Sequence, residues 1–335
     1  MIKTLELKNF RGIKEGKIEL APMTILLGPN NSGKTTILEA LYLAPNPFRE
    51  APYQQDVTAV EILHHLHQTL ESKGYLFLLR NYASNEAEIK CDGKILHFIK
   101  QNGEILVATN QQLLDLPEVK EREGLRRVGS LSIYTNTPKP RYVYGLIKNT
   151  LLYSSSLRKM AFNYISRNWI QITSSGICKK IALETSNLIY EDYIDITIEP
   201  FTGELSINAY LKDGRRIRLG DLGEGVQDYM IIRILYEHLK PSTLLWDDVE
   251  SHMNPRMLLA VGEWFSKLIE EEKQVITTTH SLEAVRVLAS MVEDAKICLT
   301  KLEGGVLSVK TLTLEEVEEL QGAGIDVRAS AEVLI

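Results

Sequence analysis

Residues 23–41 read Met23-Thr24-Ile25-Leu26-Leu27-Gly28-Pro29-Asn30-Asn31-Ser32-Gly33-Lys34-Thr35-Thr36-Ile37-Leu38-Glu39-Ala40-Leu41. The short apolar run that stops at Gly28 reads as a buried strand. Ile37, Leu38, Leu41 and Tyr42 then recur at helical spacing. Between strand and helix lies G-x-x-x-x-G-K-[ST], residues 28–35, in the context a phosphate-binding loop requires. In such a loop the backbone N–H groups of Asn30, Asn31, Ser32, Gly33, Lys34, Thr35 and Thr36 curl around phosphates at a helix N-terminus, where the helix dipole adds positive potential. Lys34 is placed to reach the β- and γ-phosphates of ATP, and Thr35 to offer its hydroxyl to Mg2+.

Upstream of this loop, residues 4–7 and 17–20 read as strands. Downstream, Pro45 and Pro47 end the helix. Residues 57–72 predict a helix. Asp92-Gly93 and Asn102-Gly103 sit between alternating apolar stretches and predict two hairpins. Residues 141–190 change to a helical period. Strands are then expected at 194–198, 205–211 and 216–219, and a helix at 226–239. Strand, helix, strand and helix follow at 243–246, 255–271, 274–278 and from 282. A strand pair near 296–299 and 306–309 and an acidic helix at 315–320 complete the pattern. Strands alternating with helices argue for a largely parallel α/β sheet. The expected division is a core of residues 1–50 and 191–335, a β-rich lobe over 51–140 and a helical insertion over 141–190.

Three further segments carry chemistry. Leu244-Leu245-Trp246-Asp247-Asp248-Val249-Glu250 is an apolar strand ending in acids, where a P-loop protein holds its metal. Asp247 is the candidate Mg2+ ligand and Asp248 the candidate base for the attacking water. Glu250 is either a support behind them or an exposed acid. Val275-Ile276-Thr277-Thr278-Thr279-His280-Ser281 closes a buried strand with a histidine at the carboxyl edge, where ligands bind in open α/β sheets. His280 is therefore a candidate γ-phosphate sensor. Leu222-Gly223-Glu224-Gly225-Val226-Gln227 is a glycine-rich turn opening a helix, and such an N-terminus is an anion site. His64, His65 and His67 are expected on one helix but not on one face of it, which argues against a metal site.

These segments, in this order, resemble the ABC-type ATPase heads of the SMC, RecF and OLD proteins. Leu5-Glu6-Leu7-Lys8-Asn9-Phe10-Arg11-Gly12 looks like the first strand of those heads, residues 28–41 like their Walker A loop and helix, and residues 221–227 like the signature motif of OLD-like members. Asp247 and Asp248 stand where the family has its Walker B Asp and catalytic Glu. Asn254-Pro255 resembles the end of the D-loop, and Thr279-His280-Ser281 the switch histidine. The resemblance covers residues 1–45 and 200–312. It implies an ABC-type P-loop head with an antiparallel β lobe and a helical insertion. It also implies catalytic roles for Lys34, Asp248 and His280, Mg2+ on Thr35 and Asp247, and a nucleotide contact by Arg11. A homodimer is implied in which Gly223, Glu224 and Gly225 meet the partner's γ-phosphate. Gln54 and Gln55 are the candidates by position for the family's Q-loop glutamine.

The sequence departs from that pattern in three places. Asp248 is one methylene shorter than the usual Glu, so hydrolysis is expected to be slow or its water differently placed. Gly223 stands where Ser is common, leaving only backbone N–H groups. The 335 residues hold neither the Toprim nuclease domain of OLD proteins nor the long arms of SMC proteins.

Net charge is −6, so no global basic field advertises nucleic acid. Residues 124–183, however, contain no Asp or Glu. They hold ten positive charges: Arg126, Arg127, Lys139, Arg141, Lys148, Arg158, Lys159, Arg167, Lys179 and Lys180. Tyr134, Tyr142, Tyr144, Tyr153, Phe162, Tyr164 and Trp169 are interleaved, an arrangement suited to DNA. Cys91, Cys178 and Cys298 are too far apart for a zinc or disulfide framework. No leader is expected and no apolar run approaches a membrane span, which predicts a cytoplasmic protein. The function expected is an ATP-gated, ATP-hydrolysing dimer acting on DNA in repair or defence. The alternative is an ATP switch for a protein effector such as a nuclease or toxin.

Overall fold

The computed structural model describes residues 1–72, 74–109, 126–132, 139–140, 147–329, 331 and 335, and of 126–132 and 139–140 the backbone. The chain opens with β1 (Thr4–Phe10), β2 (Ile13–Glu19) and β3 (Met23–Leu27), then α1 (Lys34–Leu43) and α2 (Ala59–His67). A meander follows: β4 (Glu86–Cys91), β5 (Lys94–Gln101), β6 (Glu104–Thr109), β7 (Arg126–Ser132) and β8 (Lys139–Pro140). The middle of the chain forms β9 (Thr150–Tyr153), α3 (Arg158–Arg167), α4 (Trp169–Ser174) and α5 (Ile177–Ile189). Next come β10 (Tyr193–Phe201), β11 (Glu204–Leu211), β12 (Arg216–Arg218) and α6 (Glu224–Leu239). The last part is β13 (Thr243–Trp246), α7 (Pro255–Glu270), β14 (Gln274–Thr279), α8 (Leu282–Met291), β15 (Lys296–Glu303), β16 (Val306–Leu312) and α9 (Leu314–Gly322).

Among the described residues thirteen strands form one sheet, in the order β8-β7-β6-β5-β4-β1-β2-β16-β15-β3-β14-β13-β9. From β15 to β9 every pairing is parallel. These strands are buried on both faces, which is why β3, β13 and β9 read as unbroken apolar runs. The other wing is antiparallel except where β16 meets β2. Both expected hairpins are present. Asp92-Gly93 and Asn102-Gly103 take φ of 48°, 83°, 51° and 79°, the left-handed turns that match strand twist. Because β4 pairs with β1, this β-rich part extends the main sheet instead of standing apart from it. β10, β11 and β12 form a separate antiparallel sheet packed on α5.

Two expectations are corrected. The segment 141–190 is not helical throughout, because Thr150–Tyr153 is a strand that pairs in parallel with β13. Its four residues are all buried, and a run so short carries no period that separates strand from helix. The helix expected over 57–72 is α2, which stops at His67. A capping box between Thr58 and Glu61 fixes its start.

No helix among the described residues is long and apolar enough to cross a membrane. The three cysteines are buried and free.

Gln274 ties the chain's first residues to this sheet. The side chain is fully buried; its Nε2 donates to the carbonyls of Ile2 (2.8 Å) and Ala21 (3.0 Å), and its Oε1 accepts from Ile2 N (2.9 Å). Gln274→Leu leaves the Ile2 N–H and carbonyl without this partner, while Ala21 O keeps Thr24 Oγ1 at 3.3 Å; the loss is on the order of 3 kcal/mol at about 1–3 kcal/mol per group. Thermal unfolding should fall by roughly 5 °C. An unchanged midpoint would show that this tie carries no stability.

Candidate functional site

The parallel pairings set the site. β3, β14, β13 and β9 are in register, so their carboxyl ends and the loops that follow emerge at one edge. Residues 28, 154, 247 and 280, far apart in sequence, thereby become neighbours along that edge.

The phosphate loop is braced from below. Ser32 Oγ lies 2.9 Å from Thr300 Oγ1 of β15, and Thr300 also donates to the Leu27 carbonyl at 3.2 Å. A Cβ on Gly28 would stand 2.6 Å from the Thr300 carbonyl oxygen, so only glycine fits there. Lys34 is buried, and its Nζ donates to the carbonyls of Gly28 (2.9 Å) and Pro29 (2.8 Å) and to Ser32 Oγ (3.4 Å). Burial lowers its pKa, opposed by the charges of Asp248, Asp247 and Glu250.

The acids meet this loop directly. Thr35 Oγ1 donates to both carboxylate oxygens of Asp247 at 3.2 Å, and Thr278 Oγ1 of β14 donates to Asp247 Oδ1 at 2.7 Å. Burial raises the Asp247 pKa against those hydrogen bonds, and the adjacent Asp248 charge raises it further. Asp248 itself has φ of 50°, and its N–H donates to Thr278 Oγ1 at 2.7 Å. Its carboxylate is half-exposed and lies 3.8 Å from His280 Nε2. Behind them Glu250 accepts the His280 N–H at 2.6 Å, which answers the question the sequence left open about this residue.

The signature turn opens α6. Gly223 is its N-cap, and a Cβ there would meet nothing within 4 Å. Gly225 is different, since a Cβ would sit 2.3 Å from the His252 carbonyl oxygen. Close packing against the loop after the acids therefore requires glycine at 225. Glu224 takes a hydrogen bond from Arg158 Nη2 at 3.3 Å and lies 2.9 Å from His252 Nε2. One turn on, the buried Asp228 accepts from Tyr153 Oη (2.6 Å), Ser155 Oγ (2.8 Å), Arg158 Nε (2.7 Å) and Arg158 Nη2 (2.8 Å). Tyr153 in turn accepts the Asp247 N–H through its carbonyl at 2.8 Å. Asn254 N-caps α7 by accepting from Met257 N at 2.9 Å, with Pro255 in the first turn.

Some candidates sit elsewhere. Arg11 pairs with Glu39 of α1 and lies 2.9 Å from His67 Nε2, and no bond joins it to residues 28–35. It lines a cavity of about 710 Å3 with His64, His67, Phe77 and Tyr82. Gln54 and Gln55 line a cleft with Asn149, Thr150 and Pro241, at the start of β9 and β13, the end away from the acids. The loop that does leave β9 beside Asp247 begins at Ser154. Sequence reasoning missed it because β9 itself was hidden.

The basic window is partly spent inside the chain. Arg158 is committed to Asp228 and Glu224, and Lys180 to Glu237 at 2.7 Å, acids supplied by α6 from outside the window. Lys148, Lys159, Arg167 and Lys179 are exposed. The side chains of Arg126, Arg127, Lys139, Arg141, Tyr134, Tyr142 and Tyr144 lie outside the described residues. Among the described residues no group of three or more His, Cys, Asp or Glu could hold a metal ion.

Residues 23–286 match the family described as AAA domain, putative AbiEii toxin, Type IV TA system. Over 104 residues the chain is 33% identical to the DNA replication and repair protein RecF of Chlamydia caviae, covering 30% of this chain and 28% of RecF. The OLD nuclease of Thermus scotoductus is 49% identical over 43 residues, 13% of this chain and 8% of that protein. The matched stretches thus span less than a third of these relatives' lengths. The Smc head domain of Pyrococcus furiosus, solved with an extended coiled coil and bound to the C-terminal domain of ScpA, shares the fold. Its TM-score is 0.52 over 96% of this chain and 98% of that chain, at 14% identity. The phosphate loop, the acids and the edge histidine all fall inside the matched span, and the chain belongs to this AAA domain family, among the ABC-type P-loop ATPases of the SMC, RecF and OLD group.

Proposed function

We propose that the chain binds and hydrolyses Mg-ATP at the carboxyl edge of its parallel strands, dimerises around it, and uses that dimer on DNA in repair or defence. The observation that carries this reading is the hydrogen-bond chain Thr35–Asp247–Thr278, which joins the phosphate loop, the acid strand and the histidine strand at one point. Two adjacent carboxylates there, one half-buried with its pKa raised, make a site that a divalent cation suits. Thr35 and Asp247 would hold Mg2+, which keeps most of its shell for water and phosphate oxygens. Bound there, the ion supplies charge neutralisation of the β- and γ-phosphates.

The chain's own residues do the rest. Lys34 exchanges the Gly28 and Pro29 carbonyls for phosphate oxygens. Asp248, with its backbone fixed by Thr278, orients the attacking water and takes its proton, and His280 beside it meets the γ-phosphate. Catalysis of this kind is positioning and charge stabilisation in a preorganised site. The short Asp248 side chain makes slow turnover the expectation. Arg11 sits at the cavity beside α1, where it would approach the nucleotide only at the cost of its pairing with Glu39. The open space over Gly223 leaves the N-terminus of α6 free to meet a phosphate held by a second copy.

The likeness to the DNA replication and repair protein RecF and to the OLD nuclease supports the DNA reading. The internal pairing of Arg158 and Lys180 favours the second reading, a switch for a protein effector such as a nuclease or toxin. Changing Lys148, Lys159, Arg167 and Lys179 to Glu and measuring DNA affinity across a salt series separates them. Phosphate contacts weaken with rising salt, and each lost contact lowers that slope by about one. If the unchanged protein shows no salt-sensitive DNA affinity with Mg-ATP present, the effector reading takes its place.

Lys34→Ala should abolish nucleotide binding or turnover, and normal turnover in that variant would remove the ATPase assignment. Asp248→Asn should bind Mg-ATP without completing hydrolysis and accumulate as the dimer, because ligand that binds only the closed form favours it by mass action. Light scattering with and without Mg-ATP reads this out. An unchanged mass would exclude ATP-gated dimerisation.

A further inference from the structure

We propose that Arg328, together with Glu250, positions His280 for its work at the γ-phosphate, so that the segment around residues 325–329 forms part of the catalytic apparatus. This rests on the reading of His280 given above. The backbone on either side of the His280 Cα is held by a charged side chain. Glu250 Oε1 accepts the His280 N–H at 2.6 Å, and Arg328 Nη1 donates to the His280 carbonyl at 2.6 Å. Hydrogen bonds to ionised groups are short and about twice as strong as neutral ones. Held at both peptides, the Cα–Cβ direction of His280 is set, although its imidazole is itself 39% exposed and lies 3.8 Å from Asp248 Oδ1.

Arg328 is rigid enough for this. Its Nε donates to Asp326 Oδ1 at 2.9 Å and its Nη2 to Asp326 Oδ2 at 2.6 Å, a forked pair that leaves Nη1 for the carbonyl. The same Asp326 Oδ1 accepts the Arg328 N–H at 2.9 Å, closing a tight local turn. Val327 between them is fully buried and anchors the segment to the body of the protein. On the other side, Glu250 has its second oxygen buried with no hydrogen-bond partner, so its carboxylate is held for one purpose, the His280 N–H. Following His280, Ser281 caps α8 by accepting from Ala284 N at 3.2 Å and donates its own N–H to Thr279 Oγ1 at 3.0 Å. The helix after His280 is thus fixed by its own cap. What Arg328 and Glu250 add is confined to the histidine.

The arrangement also accounts for two residues that the motif reading leaves without a task. Arg328 lies beyond the last motif segment, and Glu250 follows the metal acid by three positions. Both converge on one peptide because β13 and β14 are neighbours and the chain after α9 returns to the carboxyl edge.

The test is steady-state ATP hydrolysis by Arg328→Ala, Arg328→Lys, His280→Ala and the Arg328→Ala/His280→Ala double variant. Arg328→Ala should lower kcat about tenfold while KM for ATP stays within about twofold, as expected when a group is misplaced by a fraction of an ångström. Guanidinium ion added at millimolar concentration should restore part of the loss in Arg328→Ala and nothing in the unchanged protein. Arg328→Lys should keep more activity than Arg328→Ala. In the His280→Ala background, Arg328→Ala should have no further effect. Equal kcat in Arg328→Ala and the unchanged protein, with His280→Ala impaired, would overturn the proposal and leave the reading of His280 standing. Additive losses in the double variant would also overturn it. Full turnover by His280→Ala would remove the reading of His280 and the proposal with it.

Discussion

The parallel register of β3, β14 and β13 is the constraint on which the site depends. Leu27 pairs with Thr279 and Trp246 with Thr277, so the phosphate loop, the acids and the histidine leave the sheet at one edge. The Asp247 carboxylate reports that alignment directly, accepting from Thr35 on one side and Thr278 on the other. A slip of one residue in either strand would turn every side chain to the opposite face and separate these groups. The threonines of β14 are part of the same design. Thr277, Thr278 and Thr279 are fully buried in a strand otherwise suited to aliphatic residues, and Thr277 and Thr278 place hydroxyls on the acid strand.

A second carboxylate, the buried Asp228, extends the constraint to the signature turn. Tyr153 bonds Asp247 through its carbonyl and Asp228 through its hydroxyl, so one residue touches both Asp247 and the helix that begins at Glu224. Burial and the neighbouring carboxylate keep the Tyr153 hydroxyl protonated and thus a donor. Arg158 completes the shell of Asp228 with two hydrogen bonds and also reaches Glu224. Removing one member of a buried pair leaves the other charge without compensation, which is why such a cluster behaves as a unit. The turn that opens α6 is therefore tied to the Asp247 edge within the chain itself.

The two signature glycines serve different physical ends. Gly225 permits contact with the His252 carbonyl, so α6 can lie against the loop that follows the acids. Gly223 faces open space, and its lack of a side chain limits what it can offer a phosphate to its backbone. Asp248 carries a side chain one methylene shorter than a glutamate, and Gly223 carries none, so each presents less reach or fewer polar atoms at this edge than a longer or hydroxylated residue would.

By itself the sequence determined the local features. The phosphate loop, the two Asn/Asp-Gly hairpins, the caps at Asn254 and Ser281, and the apolar strands ending in Asp247 and His280 are set by residues close in the chain, through dihedral preferences, hydrogen bonds and periodicity. Four buried residues, Thr150–Tyr153, left no such signature, so β9 was legible only once β13 was there to pair with it. Tertiary structure alone decided which distant charges meet. Arg158 and Lys180 looked like a basic surface in a window without acids, and α6 supplied those acids from about sixty residues away. Arg11, Glu250, Thr300 and Arg328 found their partners in the same way, across tens to hundreds of positions. A charge carries no mark in the sequence of the partner it will take, because that choice follows from the packing of whole elements and the cost of burying either charge alone.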